Sequence, residues 1–262
     1  MQSDWCKLCG LHPLVVNPMN PYHPKNIDAA ILDLDGTLID PLDDFVAALN
    51  LMLRDLAAPG MMPVRIDRAL AGRWVGKGSE HLIDCTLNHA LAFDGHEQDA
   101  IGSKATLSRA WDSYQRHYGV INGRHATVFP GVEEGLRALR RRGVLLACLT
   151  NKPTAHARAL LQAKGLDGFF SQIFGGDAFE RKKPDPLPLR KTCEALGAAP
   201  IRTLMIGDSS NDAQAARGAG CPVLLVTYGY NHGEPVRAVD ADGFLDSLAD
   251  LDRVLGEYQP AA

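Results

Sequence analysis

Hydrophobic residues change their spacing along the chain, and the spacing predicts where strands and helices lie. From Gly131 onward, short apolar runs alternate with segments of helical periodicity. The runs lie at residues 144–149, 173–174, 203–206 and 223–226, and the helical segments at residues 131–142, 153–164, 186–196 and 212–218. Such alternation is typical of right-handed βαβ units, which build a parallel sheet with helices on both faces. The pattern therefore predicts an α/β fold with a doubly wound parallel sheet.

An earlier apolar run, residues 29–34, predicts a buried strand that leads into an acidic loop. A segment of helical spacing follows it. Asp40 is placed to cap this helix and Pro41 to occupy its first position. Asp43 and Asp44 complement the dipole of its first turn. We therefore predict a strand, a loop and an amphipathic helix in this order.

Residues 64–118 keep helical periodicity without a strand-like run, and Ser79 is placed to cap one of the helices. This stretch interrupts the α/β pattern, so it predicts an inserted all-helical domain. Residues 1–26 contain four prolines and little periodic hydrophobicity. We predict three parts: an irregular N-terminal extension at 1–26, an α/β core at 27–40 and 126–262, and a helical insertion at 41–125.

Composition limits the class of partner. The chain has 27 basic and 31 acidic residues and a net charge of -4, so it offers no broad cationic surface for nucleic acid. Its six cysteines lack the spacing of a disulfide framework, which favours a reducing compartment. No signal-peptide pattern and no apolar run of membrane-spanning length is recognisable. We predict a cytoplasmic protein without a nucleic-acid or membrane partner, and the sequence carries no signal for its oligomeric state.

Three polar clusters each follow an apolar strand: residues 33–37, 150–152 and 207–212. One aspartate at a strand end is as well explained by helix capping. Ligands bind at the carboxyl ends of strands in open α/β sheets, however, so three such clusters predict one shared crevice. Asp33 and Asp35 lie two residues apart, and in an extended strand both face one side, where their charge requires a cation.

The carboxylates predict a magnesium site because Asp33, Asp35 and Asp208 offer only oxygen ligands, without the His or Cys that favours zinc. Hydroxyl, amide and ammonium groups near the other strand ends complete the pattern. They are Thr37, Thr150, Asn151 and Lys183. Phosphoryl transfer requires mainly positioning and neutralisation of phosphate oxygens, which these groups can provide. The sequence thus predicts Mg²⁺ as cofactor and a small phosphate ester as partner.

Residues 33–38, Thr150, Lys183 and residues 208–212, in this order, resemble the four motifs of the haloacid dehalogenase superfamily. The resemblance spans residues 28 to about 250. It implies that Asp33 is a nucleophile and that Asp35 acts first as general acid and then as general base. Thr150 and Lys183 would hold the phosphate. Asp33, the backbone carbonyl of Asp35 and Asp208 would bind Mg²⁺, with Asp212 in support.

The same resemblance implies that the helical insertion is a cap that closes over the substrate. The aspartate two residues after the nucleophile favours a phosphatase over a dehalogenase. Through residues 74–78, 122–131 and 227–233 the chain is most similar to bacterial phosphoglycolate phosphatases, which implies 2-phosphoglycolate as substrate. Three alternatives stay open: a broad-specificity phosphatase, a sugar phosphomutase and a non-catalytic binding protein.

Gly76 and Gly78 would allow a loop of the cap to approach the substrate closely, where backbone amides or Lys77 could meet a small carboxylate. Lys77 is equally well explained as a solvated surface residue. His232 is interpreted as a structural loop histidine. Cys6 and Cys9 lack the second ligand pair that a zinc knuckle requires, so we assign them to the N-terminal extension.

Overall fold

The computed structural model describes residues 27–94 and 104–256 of the chain. The predicted N-terminal extension, with Cys6 and Cys9, lies outside these ranges. Within them, no helix combines the length and the apolar character needed to cross a membrane.

Six parallel strands form the main sheet, and a short antiparallel pair lies beside it. In chain order the strands are β1 Ala29–Leu32, β2 Ile39–Asp40, β3 Thr127–Val128, β4 Leu145–Leu149, β5 Gln172–Phe174, β6 Thr203–Gly207, β7 Val223–Val226 and β8 Gly243–Leu245. The sheet order is β5-β4-β1-β6-β7-β8, and β2 pairs with β3. Ala29 in β1 pairs with Leu145 on one side and Thr203 on the other. The first strand of the described residues is therefore in the middle of the sheet.

The α-helices of the described ranges fall into an inserted group, α1 to α4, and a group that alternates with the strands. They are α1 Leu42–Leu56, α2 Arg68–Gly72, α3 Ser79–Asp94, α4 Lys104–Ile121, α5 Val132–Arg141, α6 Thr154–Ala163, α7 Leu187–Leu196, α8 Ser210–Ala219 and α9 Leu251–Val254. Short 3₁₀ turns lie at Asp167–Phe169, Pro200–Arg202, Val236–Ala238 and Leu248–Asp250.

Successive residues of β1 enter different cores. Ala30 and Leu32 pack in one core with residues of α5 and α6, whereas Ala29 and Ile31 pack in another with residues of α7 and α8. All four residues are fully buried. Every side chain of a strand that is covered on both faces is buried, so such a strand consists of consecutive apolar residues. This explains why residues 29–32 are all apolar. The predicted doubly wound α/β fold is confirmed.

Helices α1 to α4 have a third core of their own, in which Leu49, Met52 and Tyr114 are fully buried. The structure begins α1 at Leu42, one residue later than predicted. Asp40 accepts a hydrogen bond from the Leu42 amide at 3.1 Å, in keeping with its predicted role at this helix terminus.

Two helix starts differ from the sequence pattern. The structure places Ser79 as the first residue of α3 rather than before it, and α8 begins at Ser210, two residues earlier than predicted. Both differences are a turn or less at a helix end, where polar residues obscure the apolar periodicity.

Candidate active site

Three neighbouring strands end at one edge of the sheet and carry polar residues there. Asp33 follows β1, Thr150 follows β4 and Asp208 follows β6. The Asp33 amide donates to the carbonyl of Ile206 in β6 at 2.9 Å, so strand pairing extends to the first polar residue. Because β1 lies between β4 and β6, the three side chains come together at this edge.

Asp33, Asp208 and Asp212 form a buried carboxylate cluster, in which one oxygen of each lies within 4.8 Å of an oxygen of the others. Asp212 lies in the first turn of α8. Its Oδ2 accepts from the backbone amides of Asp208 and Ser209, at 3.2 Å each, and from the Ser209 hydroxyl at 2.9 Å. These bonds and the positive end of the helix dipole hold the Asp212 carboxylate beside the other two.

The ammonium of Lys183 lies against this cluster. Its Nζ is 3.0 Å from Oδ1 of Asp33, 2.7 Å from Oδ1 of Asp212 and 2.9 Å from the carbonyl oxygen of Leu149. Burial alone would lower the pKa of Lys183, but the carboxylates of Asp212 and Asp33 outweigh burial and raise this pKa. Lys183 is therefore charged and neutralises one carboxylate of the three.

The remaining carboxylates carry uncompensated charge. Burial raises the pKa of Asp33 to about 6, against the attraction of Lys183. Burial also raises the pKa of Asp208 well above its usual value, and repulsion from Asp212 and Asp33 adds to this shift. A divalent cation would relieve the repulsion, and an all-oxygen donor set is the one that Mg²⁺ prefers. The residues present therefore fit a magnesium ion.

Two glycines, Gly36 and Gly229, pack closely against Asp208. A Cβ atom at Gly36 would lie 2.1 Å from Oδ2 of Asp208, and one at Gly229 would lie 2.2 Å from the Asp208 Cβ. The Tyr230 amide donates to the same Oδ2 at 2.6 Å. Glycine is therefore required on both sides of this carboxylate, which is held in one position by the close backbone.

The Asp35 carboxylate does not join the cluster but pairs with Lys152. Nζ of Lys152 is 3.0 and 2.9 Å from the two Asp35 oxygens. The same Nζ lies 4.8 Å from the ring centre of Phe45 in α1 and 5.0 Å from that of Tyr118 in α4. The side chain of Lys152 is only 3% exposed. The carboxylate of Asp35 is thus separate from the three carboxylates, and its backbone carbonyl is the group predicted to meet a metal.

A cavity lies next to Asp33 and Asp35. Its core side includes Thr150 and Asn151, and its other side is formed by Phe45, Leu82 and the loop that precedes α3. Gly76 and Gly78 of this loop line the cavity. Lys77 is exposed and is not among the lining residues that the structure describes.

The predicted phosphate-binding residues lie at different depths. Thr150 and Asn151 reach the cavity, and the Thr150 hydroxyl accepts from the Lys152 amide at 3.2 Å. Thr37 is fully buried, and its hydroxyl donates to Oδ1 of Asp208 at 3.4 Å. Thr37 therefore contacts the carboxylate cluster, and its predicted contact with phosphate stays a prediction.

The loop at residues 75–78, hereafter the cap loop, is tied to the core by side-chain donors. The Gly76 carbonyl accepts from the amide groups of Asn151 at 3.3 Å and Asn211 at 3.2 Å. Nδ1 of His232 lies 3.0 Å from the carbonyl oxygen of Val75, and since a carbonyl only accepts, Nδ1 carries the proton. Three separate core segments thus hold two successive carbonyls of the cap loop.

Motif spacing does not identify three of these residues. Lys152 belongs to a predicted polar cluster, but nothing in the sequence indicates that it meets Asp35. Asn211 lies between the motif aspartates, and its partner is 135 residues away. His232, interpreted as a loop histidine, contacts Val75, and burial together with the nearby charge of Lys77 lowers its pKa.

The chain matches known proteins over most of its length. Residues 27–220 match the family model of the haloacid dehalogenase-like hydrolases. The chain is 41% identical to a phosphoglycolate phosphatase of Thiobacillus denitrificans, covering 87% of this chain and 95% of that one. Identity to a phosphoglycolate phosphatase of Escherichia coli is 34%, covering 88% of this chain and 94% of that one.

A solved structure also shares the fold. The crystal structure of a predicted phosphoglycolate phosphatase from Haemophilus somnus superposes with a TM-score of 0.81 at 31% identity, covering 88% of this chain and 99% of that one. The sequence motifs, the sheet order and these matches agree. The chain belongs to the haloacid dehalogenase-like hydrolase family.

Proposed function

We propose that the protein is a magnesium-dependent phosphatase that hydrolyses 2-phosphoglycolate to glycolate and phosphate through a phospho-aspartyl intermediate on Asp33. The observation that carries this proposal is the position of Asp33. Its carboxylate lies at the end of the central strand, borders the cavity and is oriented by Lys183. Relatives that bear the name phosphoglycolate phosphatase, at 41% and 34% identity, support the choice of substrate.

In the first half-reaction, an oxygen of Asp33 attacks phosphorus and the bond from phosphorus to the ester oxygen breaks. Oδ1 of Asp33 accepts from the Leu34 amide at 2.7 Å and contacts Lys183 at 3.0 Å. We therefore assign the attack to Oδ2. Asp35, which enters this step protonated, gives its proton to the leaving oxygen. Glycolate therefore departs with a neutral hydroxyl group rather than an alkoxide.

In the second half-reaction, water attacks the phosphorus of the aspartyl phosphate. Asp35 takes a proton from this water, the bond between phosphorus and the Asp33 oxygen breaks, and phosphate leaves. Thr150 and Asn151, which border the cavity, would hold the phosphate oxygens in both steps. Lys183 is predicted from the sequence to hold the phosphate as well, but its ammonium contacts the carboxylates of Asp33 and Asp212, so we assign it the role of orienting Asp33. Asp33 and Asp35 return to their starting states.

Asp33, Asp208 and the backbone carbonyl of Asp35 would hold the magnesium ion, with Asp212 in support. When bound, the ion neutralises the phosphate oxygens and reduces their repulsion of the attacking carboxylate. Residues 41–125 would act as the cap. The contacts of Asn151, Asn211 and His232 with the cap loop support this role, since they join the inserted helices to the core beside the cavity.

Phosphate release from a panel of esters tests the proposal. The panel contains 2-phosphoglycolate, 3-phosphoglycerate, glucose phosphates, pyrophosphate, nucleotides and an aryl phosphate, each with Mg²⁺. We expect kcat/KM to be highest for 2-phosphoglycolate. The Asp33→Asn variant, which keeps the volume but loses the nucleophile, should fall by at least about 10³-fold.

The possible results separate the chemistry from the substrate. A different preferred ester would leave the phosphatase chemistry intact and refute the substrate. Dependence on a bisphosphate activator with little net phosphate release would indicate a phosphomutase. Full activity of the Asp33→Asn variant would refute the mechanism.

A further inference from the structure

Lys152 is a buried cation at the wall of the cavity. Its ammonium contacts both oxygens of Asp35, at 2.9 and 3.0 Å, and lies over the rings of Phe45 and Tyr118. The lysine comes from the loop after β4, whereas the two rings come from the inserted helices. Ring faces attract a cation but do not neutralise it, and they leave the ammonium little freedom to move.

The other buried lysine of the site has partners for all three of its N–H groups. Lys183 contacts three oxygens, those of Asp33, Asp212 and the Leu149 carbonyl, at 2.7 to 3.0 Å. Among the described residues that line the cavity, Lys152 is the cation, beside the carboxylates of Asp33 and Asp35. Asp35 takes two of the three N–H groups of Lys152, so one remains to donate to a second negative group of a substrate, beyond its phosphate.

The chemistry of the proposed substrate fits this position. In 2-phosphoglycolate a single methylene separates the ester oxygen from the carboxyl carbon. In the proposed function, Asp35 contacts the ester oxygen, so groups bonded to Asp35 lie next to the carboxylate of the leaving group. Lys152 is bonded to Asp35 through both oxygens.

We propose that Lys152 determines substrate specificity by binding the carboxylate of the leaving group. This inference rests on the proposed function and names the residue that selects its substrate. A charge-assisted hydrogen bond inside a buried site contributes strongly to affinity. An ester without the carboxylate would leave Lys152 without this partner, so it would bind less tightly. Lys77, which the sequence offers for the same task, is exposed and lies outside the set of lining residues described for the cavity.

Calorimetric binding to the Asp33→Asn variant tests this inference without turnover. Two ligands are compared in the presence of Mg²⁺: 2-phosphoglycolate and ethyl phosphate, in which a methyl group replaces the carboxylate. We expect Asp33→Asn to bind 2-phosphoglycolate at least about tenfold more tightly, the value of one charge-assisted hydrogen bond. Adding Lys152→Met should reduce this preference to about twofold or less.

Other lysine variants serve as controls in the same background. Lys191→Met removes an exposed lysine, which pairs with Glu194 on α7, and should keep the preference. Lys77→Met should also keep it. Lys152→Gln retains a donor of similar length without the charge, and it provides a second test if Lys152→Met fails to fold.

The inference is overturned if the Lys152 variants keep the tenfold preference, or if Lys77→Met alone removes it. Equal affinity of the Asp33→Asn parent for both ligands would also overturn it. Failure of the proposed function appears elsewhere, as a lack of phosphate release from 2-phosphoglycolate by the unmodified protein. The two proposals can therefore fail separately.

Discussion

Asp44 shows how one buried carboxylate joins distant parts of the chain. Its position in the first turn of α1 suggests a solvated charge that complements the helix dipole. The structure instead buries it completely. Its two oxygens accept from the amides of Gly123 and His125, at 2.6 and 2.7 Å. Asp44 therefore joins α1, where the insertion begins, to the segment that follows α4, where the insertion ends.

We expect Asp44→Ala to lower the free energy of unfolding by about 2 to 4 kcal/mol, because two amides lose their acceptors in a buried place. Urea denaturation followed by circular dichroism measures the change. Asp43→Ala is the matched control, since Asp43 is its exposed neighbour, with 57% of its side chain accessible. That variant should change the free energy by less than about 0.5 kcal/mol. Equal effects of the two variants would show that the amide contacts of Asp44 contribute little.

At the scale of an element, several contacts together hold the cap loop in place. Gly76 has a φ of 106°, and a Cβ there would lie 2.8 Å from the His232 ring. The loop can approach the core only because this position is glycine. The His232 and Asn211 side chains then donate to its carbonyls. Close approach and hydrogen bonding therefore depend on each other.

Removal of a donor should loosen the cap loop. We expect His232→Ala and Asn211→Ala each to speed amide hydrogen exchange in residues 73–79 by about tenfold, since each loses one hydrogen bond of about 1 kcal/mol and the packing around it. Exchange followed by mass spectrometry measures this effect without substrate. His125→Ala, which removes an exposed loop histidine, should leave exchange in these residues unchanged. Unaltered exchange in both donor variants would contradict a role for these contacts in holding the loop.

Hydrophobic periodicity predicts most strands and helices of the α/β core, but it does not predict the shortest strands. Strands β4 to β7 and helices α5 to α7 lie within a residue or two of their predicted bounds. Strand β8 and the pair β2 and β3 are not predicted. They have two or three residues each, too few for a period to appear, and their pairing partners decide their conformation.

The site likewise contains residues that the sequence predicts and contacts that it does not. The carboxylates of Asp33 and Asp208 directly follow strands, so their place at the strand ends could be inferred from the fold class. The Asp35 carboxylate, predicted to face the same side as Asp33, pairs with Lys152 instead, because β1 ends at Leu32 and the chain is no longer extended there. The contact between Lys152 and Asp35 joins residues 117 positions apart. That between His232 and Val75 spans 157 positions. No local sequence pattern specifies such contacts, because they depend on how the inserted helices pack against the core.

At the scale of the whole molecule, the described residues form three hydrophobic cores and a buried carboxylate cluster. Two cores cover the faces of the sheet, and the third lies among the inserted helices. The carboxylate cluster lies at the edge of the sheet, at strand ends, where it is buried without being part of any apolar core. Its excess negative charge opposes folding of the metal-free protein, and a bound cation should offset this repulsion.

Magnesium should therefore support both activity and stability. We expect EDTA to stop phosphate release and added Mg²⁺ to restore it. At about 100 times its Kd, Mg²⁺ should also raise the free energy of unfolding by about 2.7 kcal/mol. Thermal unfolding with and without the ion measures this change. The Asp208→Asn variant should lose most of the thermal shift, and a shift equal to that of the unmodified protein would place the ion elsewhere.

The central position of β1 has a consequence for biosynthesis. This strand and Asp33 leave the ribosome first among the described elements, yet the partners of Ala29 are Leu145 and Thr203, which follow the entire helical insertion. Long-range parallel pairing of this kind forms late. The nascent chain therefore carries Asp33, the proposed nucleophile, through most of translation before the partner strands of β1 have been made. Catalytic competence arrives only when β6 has emerged and closed the sheet on the second side of β1.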